Sequence, residues 1–466
     1  MRTRELGLPA RMSRVAVVAP EPRLREALVA LAETGAVELV NPLPPAQGEA
    51  LEALGRLQRR ATSGHVEPRL ARGKAGLAEL ERRGAADLLA GEVELQRRAE
   101  SAVRRRSFAA FVGWAPDTEL AGLGERLSPV GAAVVELPTP PWSDPPTLLR
   151  PARVARPFRP LVDTYGAARY ADLDPTPFAA FSFVLMFGMM FGDVGHGLLL
   201  VLLGLLLRRA PARWARLRGL WPFAVAAGLA AALFGLLYGE AFGPSGLVPT
   251  LWLDPTDRPL TLLAAAGAVG IFLLANSYVI GIVNRWREAG PRPALLAPSG
   301  VAGLAVFLGG GIALAGAYLG LTALTAAGGV LAVVGVLLLA GGFLAEAGHG
   351  TAAVTGASIE VFDAVVRIGS NAVSFTRLAA FGLMHAALAA IVFSAAAALW
   401  GTPAGVAAAI LVFVFGNAVA FALEALVAGV QALRLEYYEL FSRIFAGEGH
   451  AFSPWSIPVV DWREEP

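Results

Sequence analysis

The sequence predicts an α-helical membrane protein with about eight transmembrane helices, preceded by a small N-terminal α/β domain. Two observations support this fold class. Of the 466 residues, 55% are hydrophobic and 16% are charged, whereas a soluble domain carries about 25% charged residues. The charges are also unevenly placed, because Arg and Glu are frequent before Asp172 and sparse after Thr176. We therefore expect a soluble N-terminal part and a remainder that is embedded in lipid.

The N-terminal domain, residues 1–137, is expected to be a small α/β lobe on a helical hairpin. Strands are predicted at 14–19, 36–40, 108–114 and 132–137, and helices at 23–33 and 117–127. Between these units, 49–60 and 69–106 are rich in Ala, Leu, Glu and Arg, which is typical of two antiparallel helices joined near Ser63 and Gly64. Interior glycines in the second helix each cost about 1 kcal/mol and should bend or break it.

Composition excludes several functions. The chain has no cysteine, which rules out disulfides and thiolate metal sites. No apolar signal opens the sequence MRTRELGLPARMSR, so the N-terminal domain is expected in the cytoplasm. Arginines 104–106 end a helical pattern beside glutamates, which favours a solvated face over nucleic-acid binding. A GxxxxGK[ST] loop is absent, so the chain is not expected to be an enzyme, and no cofactor is predicted.

A proline-rich linker, 138–175, leads to the transmembrane region, 176–445. About 20 apolar residues span a bilayer. Clear candidates are 220–238, 260–283, 300–321, 326–344, 372–400 and 404–433, of which the last two are long and expected to be tilted. The stretch 178–207 fits one long tilted helix or two short ones.

Arginine placement favours the two short helices. Arginines follow both 178–207 and 260–283, whereas 243–259 carries Asp254 and Asp257 against a single arginine. By the positive-inside rule, both arginine-rich loops are cytoplasmic and 243–259 faces outside. If the N-terminal domain is also cytoplasmic, 178–207 must enter and return, turning near 191–197. Eight crossings and two cytoplasmic termini follow, with 446–466 as a C-terminal tail, whereas a single crossing gives seven.

Arg377 is an isolated charge within an apolar run. An arginine keeps its proton under almost any condition, and placing one in hydrocarbon costs at least about 2.5–3.5 kcal/mol. A functional role is therefore predicted, with snorkelling to an interface or structural pairing as alternatives. Ser374, Phe381 and Met384 share its helix face. Most other residues of this helix are Ala, Gly or Leu, which suits sliding contact with a partner.

A second polar pattern runs along the last long predicted helix. Asn417, Glu424 and Gln431 recur every seven residues and Arg434 follows, so a polar stripe is predicted along one side. A carboxylate in lipid is costly unless it is paired or protonated. Helix–helix hydrogen bonding explains Asn417 and Gln431 but explains Glu424 less well, so an aqueous or proton-conducting path is favoured.

Two other polar groups have more than one interpretation. Asp193 and His196, in the predicted turn, fit a metal pair, a proton site or a polar turn at the outer surface that satisfies its own backbone. The turn is favoured because two ligands do not make a metal site, and no metal is predicted. Glu360 and Asp363 lie in a predicted cytoplasmic connector, 346–369, as part of a path or as solvated charges.

Three segments carry a family resemblance. SFTRLAAFGLMHAAL at 374–388 resembles the signature helix of the membrane-embedded a subunit, called subunit I in prokaryotes, of V-type and A-type rotary ATPases. MFGMMFGDVGHG at 186–197 and GVQALRLEYYELFSRIFAGEGHAFSPW at 429–455 agree, in the family's order and roughly its spacing. The first 150 residues resemble the family's N-terminal arm more loosely. The arm is expected to be short, because no residues match the family's distal lobe.

The resemblance implies a stator in a rotary machine. In this family, a ring of proteolipid subunits carries one carboxylate each past the a subunit, and an aqueous half-channel from each side loads and unloads it. Arg377 would be the fixed charge between the half-channels, which favours the ionised carboxylate and blocks a direct leak. Arg434 would be a second arginine near this interface.

The resemblance also implies roles for the other polar residues. Glu424 and His385 would line the outer half-channel, and Asp363 with Glu360 the cytoplasmic one. The polar path or interface would also include Ser374, Asn371, Asn417 and Gln431. Expected partners are the proteolipid c-ring, the peripheral stalk subunits through the arm, and the rest of the complex in the plasma membrane. The choice of H⁺ or Na⁺, and of ATP synthesis or hydrolysis, stays open.

Two other functions compete with the stator. A free-standing secondary transporter often contains inverted repeats, and the two halves of this chain carry no such repeat. A non-conducting scaffold that anchors peripheral stalks predicts that Arg377 and Glu424 are dispensable.

Overall fold

The structure is a computed structural model that describes residues 8–60, 66–140, 143–151, 154–348, 350–401, 403–445 and 449–462. The chain forms two compact units. The arm unit comprises Pro9–Leu149, Ala168–Tyr170 and Gly449–Pro466, and the helical unit contains Arg150–Ala167 and Ala171–Glu448. The helix junction predicted near Ser63 and Gly64 lies outside the described residues.

The arm unit is the small α/β domain predicted from the sequence. Its elements are β1 Met12–Pro20, α1 Leu24–Thr34, β2 Glu38–Leu39, α2 Glu49–Arg60, β3 Leu70–Ala71, α3 Leu77–Arg82, α4 Ala86–Glu100, β4 Val103–Arg105, β5 Phe108–Pro116, α5 Leu120–Leu127 and β6 Ala133–Leu137. An antiparallel sheet in the order β2-β5-β1-β6 contains both strand–helix–strand units, with β4 also paired to β5. On β1, Val15, Val17 and Ala19 alternate into the core, as the period of a strand requires.

Residues 69–106 were predicted as a helical segment with bends or breaks at its glycines, and the structure breaks it into four elements. This segment contains β3, α3, α4 and β4. Gly84 separates α3 from α4 with a φ of +68°, which glycine adopts without steric cost. Gly91 lies within α4 and does not break it, because its role is to allow another segment to pack closely against the helix. A Cβ at Gly91 would overlap the carbonyl of Arg69, so the glycine allows the chain before β3 to pack against the helix.

The C-terminal segment packs inside the arm unit. Residues 446–466 were expected to form a tail of their own, but the described part, 449–462, includes β7, Val459–Val460, which pairs in parallel with β3. Trp455 and Ile457 are buried in the core beside α1 and β1. The alternation of apolar residues at 455, 457 and 459 is a strand pattern.

The helical unit contains the apolar helices. Its elements are α6 Arg159–Tyr165, α7 Thr176–Met190, α8 Val194–Arg208, α9 Ala215–Arg218, α10 Trp221–Tyr238, α11 Pro259–Ala289, α12 Pro291–Leu296, α13 Val301–Tyr318, α14 Thr322–Ala347, α15 Thr351–Ser374, α16 Thr376–Ala398, α17 Pro403–Leu435 and α18 Ser442–Ile444. Among the described residues, 6 helical stretches are long and apolar enough to cross a membrane, and α7 and α8 are shorter apolar helices. The multi-pass helical class predicted from composition is confirmed.

The stretch 178–207 forms a hairpin. Both α7 and α8 pack along α10, and the order of their contacts shows that they run in opposite directions. The contacts pair Phe183 with Phe223 and Gly188 with Ala230 along α7, and Val194 with Gly235 and Val201 with Gly228 along α8. The chain reverses between Met190 and Val194, within the turn predicted near 191–197.

Most of the connector predicted over 346–369 is helical. Helix α15 begins at Thr351 and meets α16 across the single residue Phe375, which is fully buried. Ala357, Ala364 and Ile368 are buried on one face of α15, and their spacings of seven and four are those of an amphipathic helix.

Candidate functional site

Arg377 lies in the first turn of α16 and pairs with a carboxylate on the neighbouring element. Its Nη2 donates to Glu439 Oε1 at 2.9 Å, and its Nε donates to the carbonyl oxygen of Ser374 at 3.1 Å. The Glu439 side chain is 5% exposed and that of Arg377 is 24% exposed. Nη1 is buried and has no hydrogen-bond partner among the described residues. One edge of the guanidinium is therefore held by the protein, and part of it stays accessible.

The backbone departs from regular α-helix on both sides of this pair. At Phe375 the amide of Leu378 donates to the Phe375 carbonyl, which leaves the Ser374 carbonyl free to accept from Arg377. Across from it, residues Glu436–Phe441 form a π-helical turn, and single π turns are frequent at functional sites. The turn directs both Glu436 and Glu439 into the unit.

His385 and Glu424 meet farther along the same two helices. His385 Nδ1 bonds to Glu424 Oε2, and the two side chains are only 3% and 6% exposed. Of the predicted stripe, Asn417 is also buried, Gln431 is half-buried, and Arg434 is exposed. The stripe thus divides, with its first two members turned into the unit and its last turned out.

The Asp193 turn joins this buried group. Its Oδ1 accepts from the backbone N–H of His196 at 2.8 Å and its Oδ2 from that of Gly243 at 3.2 Å. The turn satisfies its own backbone, as expected, and both Asp193 and His196 are fully buried within the chain. The ring centroids of His196 and His385 lie 5.6 Å apart. We call Asp193, His196, His385, Glu424 and Asn417 the outer cluster.

The remaining predicted polar residues line a cavity at the other end of α16. This inner cavity has a volume of about 520 Å³, and its lining includes Glu360, Asp363, Arg367, Asn371 and Arg443. Asp363 forms an ion pair with Arg367, and both are exposed. With its amide oriented to satisfy both neighbours, Asn371 donates to the Arg367 carbonyl and accepts from Arg443 Nη2 at 3.0 Å.

The outer cluster and the inner cavity lie on opposite sides of the Arg377–Glu439 pair. The outer cluster contacts the loop that follows α10, through Gly243. The inner cavity includes Arg285, from the arginine-rich end of α11, and Ser299. Along α15 and α16, Asp363 and Asn371 precede Arg377, and His385 follows it by eight residues, about 12 Å along a helix.

An exposed face runs along α16 and α17 beside Arg377. Only 17% of the apolar window in Pro403–Ile444 is buried within the unit. Val373, near the end of α15, and Leu426 on α17 are 66% and 65% exposed. Arg434 lies exposed on α17, and no carboxylate of the described residues lies within ion-pair distance of it.

Sequence analysis missed several buried polar residues. Glu439 pairs with Arg377, and Glu436 accepts from Ser182 Oγ at 2.7 Å. Both carboxylates stand within the predicted transmembrane region 176–445, and an ionisable residue in such a region marks a functional site by default, so the signal was available. Arg443 and Glu240 are also buried. Their neighbours are distant in sequence, and no local pattern indicated them.

Comparisons with known proteins agree with the fold and the motifs. Residues 103–253 match the profile of the V-type ATPase 116kDa subunit family. The A-type ATP synthase subunit I of Pyrococcus horikoshii is 28% identical over 371 residues, which cover 76% of this chain and 54% of that protein. The corresponding subunit of Halobacterium salinarum is 30% identical over 378 residues, covering 64% and 49%. The chain therefore spans about half the length of these curated relatives.

A bacterial relative covers a shorter part of the chain. V-type ATP synthase subunit I 2 of Treponema pallidum is 34% identical over 167 residues, which cover 30% of this chain and 36% of that protein.

Proposed function

We propose that this chain, which is similar to A-type ATP synthase subunit I and to the V-type ATPase 116kDa subunit family, is the ion-translocating stator of a rotary ATPase. The single observation that carries the proposal is the position of Arg377. A permanently charged guanidinium, still partly accessible, separates two groups of titratable side chains that reach toward it from opposite ends of the helical unit.

The chemistry of Arg377 suits a stator charge. A ring carboxylate that passes in front of it is stabilised in its ionised form by the nearby positive charge. Because the guanidinium does not lose its proton when it is desolvated, it also blocks a direct leak between the two sides. Glu439 would hold the guanidinium through Nη2, and the partly exposed side chain of Arg377 would remain available to a second carboxylate.

The two polar groups fit the two half-channels. The outer cluster, with His385 and Glu424 in contact, would exchange the ion with the outside. The inner cavity, with Asp363 and Glu360, would exchange it with the cytoplasm. The residues between them on α16, such as Leu378, Ala379 and Gly382, are apolar and buried, so a proton would have to travel on the ring carboxylate.

The exposed face supports a proteolipid ring as the partner. Arg434 stands exposed among apolar residues on α17, where a charge facing lipid would be costly. A carboxylate on a neighbouring subunit would compensate for it. The arm unit would bind the peripheral stalk subunits, and the complex would lie in the plasma membrane with ATP chemistry on other chains.

Replacement of Arg377 tests the proposal. In the assembled complex in vesicles, Arg377→Ala and Arg377→Lys should both abolish ATP-driven ion transport while the subunits stay assembled. Lysine should fail because a desolvated ammonium can lose its proton and cannot hold two carboxylates in one plane. Normal pumping by Arg377→Ala vesicles would exclude the stator role and favour a stalk-anchoring scaffold. Transport by the purified chain alone would favour a secondary transporter.

Glu424 provides a second test, of the outer path. Glu424→Gln keeps the shape and much of the hydrogen bonding to His385 but removes titration. Transport and coupled ATPase activity should fall together while the complex stays assembled. The same substitution at the exposed Glu346 should change neither activity. Full transport by the Glu424→Gln complex would show that Glu424 has only a packing role.

A further inference from the structure

The outer cluster leaves several buried polar atoms unused. Both ring nitrogens of His196, Nε2 of His385, Oε1 of Glu424 and Oδ1 of Asn417 have no hydrogen bond of normal geometry among the described residues, although Asn417 lies beside His196. Each such buried group costs about 1–3 kcal/mol unless something binds it. A ligand that accepts electron pairs from several of these atoms would remove much of that cost.

The positions of three of the side chains fit a metal ion. One carboxylate oxygen of Asp193 and one ring nitrogen each of His196 and His385 lie within 4.8 Å of one another. Ligand atoms around tetrahedral Zn²⁺ stand about 3.4 Å apart, given bonds of about 2.0–2.1 Å. Side-chain rotations that move each ligand atom by about 1 Å would therefore bring the three atoms to the spacing of a Zn²⁺ site. Two histidines and one carboxylate on one side of an ion, with positions left open, form a common transition-metal ligand set.

The surroundings of His385 strengthen this assignment. A histidine that binds a metal commonly gives its other ring nitrogen to a carboxylate, which fixes the tautomer and the orientation of the ring. His385 has this arrangement, because Nδ1 bonds to Glu424 and leaves Nε2 for an ion. Water fits the unused atoms as well, but water does not require two histidines and an aspartate to converge.

We propose that Asp193, His196 and His385 form a binding site for a divalent transition-metal ion of the Zn²⁺ class, with Glu424 orienting His385. The third ligand was not available to sequence analysis, because His385 lies 189 residues beyond His196. The consequence for transport rests on the proposed function of the outer cluster. An ion there occupies the atoms that would pass protons, so Zn²⁺ supplied from the outside inhibits transport.

Co²⁺ is the probe for binding, because its visible absorption reports a site with few ligands that include nitrogen. The complete complex, stripped of metal by a chelator, is titrated with Co²⁺ and then with Zn²⁺. The expected result is one absorbing Co²⁺ per copy of this chain, displaced by Zn²⁺, and missing in the His196→Phe complex. Phenylalanine retains the aromatic contacts that His196 makes with Phe191 and Phe242 and removes only the ligand nitrogens.

Two further variants sharpen the binding measurement. Glu424→Gln should weaken Co²⁺ binding by about 10–100-fold, which is the usual effect of losing a carboxylate that orients a metal-bound histidine. His450→Ala removes a histidine of the arm unit and should leave the affinity unchanged. Equal Co²⁺ spectra for the parent and the His196→Phe complex would overturn the metal site and leave the unused atoms to water.

The transport measurement separates this inference from the proposed function. External Zn²⁺ should inhibit the parent in vesicles at concentrations that fill the Co²⁺ site. Binding without inhibition would uphold the metal site and remove the outer cluster from the ion path. Absence of the His196-dependent Co²⁺ signal would overturn the metal site, whatever the Arg377 variants do.

Discussion

At the scale of single residues, Arg377 has one carboxylate partner among the described residues and would share its charge with another on the ring. Breaking a fully buried ion pair costs about 3–5 kcal/mol, and an exposed pair contributes about 0–1 kcal/mol. The pair with Glu439 lies between these limits, because one member is buried and the other is 24% exposed. Glu439 is therefore expected to hold the guanidinium in place without saturating it.

Glu439→Gln tests this intermediate strength. The amide keeps an acceptor for Arg377 but loses the charge, so the coupling between Glu439 and Arg377 should amount to about 1.5–3 kcal/mol. The measurement is a double-mutant cycle with Arg377→Gln on the thermal stability of the assembled complex. The exposed Asp363–Arg367 pair is the matched control and should give less than about 1 kcal/mol. Additive effects at Arg377 and Glu439 would contradict an ion pair.

Single-residue patterns predicted part of the site and missed the rest for identifiable reasons. Arg377 and Glu424 were found because a charge in an apolar run is costly whatever its neighbours. Glu439 was missed although the same rule applied, because only Arg434 and the residues before it were considered as a stripe. The contacts of His196 with His385 depend on the α7–α8 hairpin packing beside α16, which no sequence spacing reports.

At the scale of elements, glycines set how closely the helices approach. Helices α13 and α14 form one such antiparallel pair, in which glycines on each helix face the backbone of the other. A Cβ at Gly309 would overlap the backbone of Ala332, and one at Gly328 would overlap that of Ala313. Close backbone approach through small residues is a main source of helix association in lipid. The glycines are visible in the sequence, but only the packing of α13 against α14 shows which face of each helix makes the contact.

Neighbouring glycines provide a matched test of this packing. Gly309→Ala should destabilise the helix pair by about 1–3 kcal/mol, because the backbone of α14 must move away. Gly310→Ala changes the next residue on the same helix, where a Cβ meets nothing within 4 Å. It should be neutral or slightly stabilising, because alanine favours helix over glycine by about 1 kcal/mol. Thermal denaturation of the two variants in one detergent compares them directly. Equal losses would show that α13 and α14 separate without cost.

Helix α15 shows what the sequence analysis left undetermined between the predicted spans. The segment 346–369 carries Glu360, Asp363 and Arg367 at its exposed side, and these charges placed it in a connector outside the predicted spans. Its buried face, with Ala357, Ala364 and Ile368, has the period of a helix but small side chains and few large apolar ones. The prediction for 346–369 rested on its charges, whereas the helix of α15 is stabilised by the packing of its buried face.

At the scale of the whole molecule, the C-terminal segment constrains the path of the chain. The N-terminal strands and residues 449–462 belong to one compact unit, joined by the β3–β7 pairing and by Trp455 in the core. A folded unit that holds both segments lies on one side of a membrane, so the chain between them must cross an even number of times. Eight crossings, with 178–207 entering and returning as a hairpin, would satisfy this condition, whereas a single crossing over 178–207 would give seven.

Thiol labelling tests the resulting topology, and the chain is suited to it because it contains no cysteine. Cysteines replace Arg213, in the arginine-rich segment after α8, and Leu247, in the loop after α10, one at a time. Both positions are exposed, and Leu247 is 79% exposed. It therefore reports more clearly than the half-buried Ser245. An impermeant thiol reagent applied to intact cells should label Leu247→Cys and leave Arg213→Cys unlabelled until the membrane is opened, because arginine-rich loops remain in the cytoplasm.

A cysteine replacing Ser456, in the arm unit, should behave like the one at Arg213 if both termini are cytoplasmic. Labelling of Arg213→Cys but not Leu247→Cys in intact cells would invert the orientation. Labelling of Ser456→Cys together with Leu247→Cys would place the arm outside and contradict the even number of crossings between it and the arginine-rich loop.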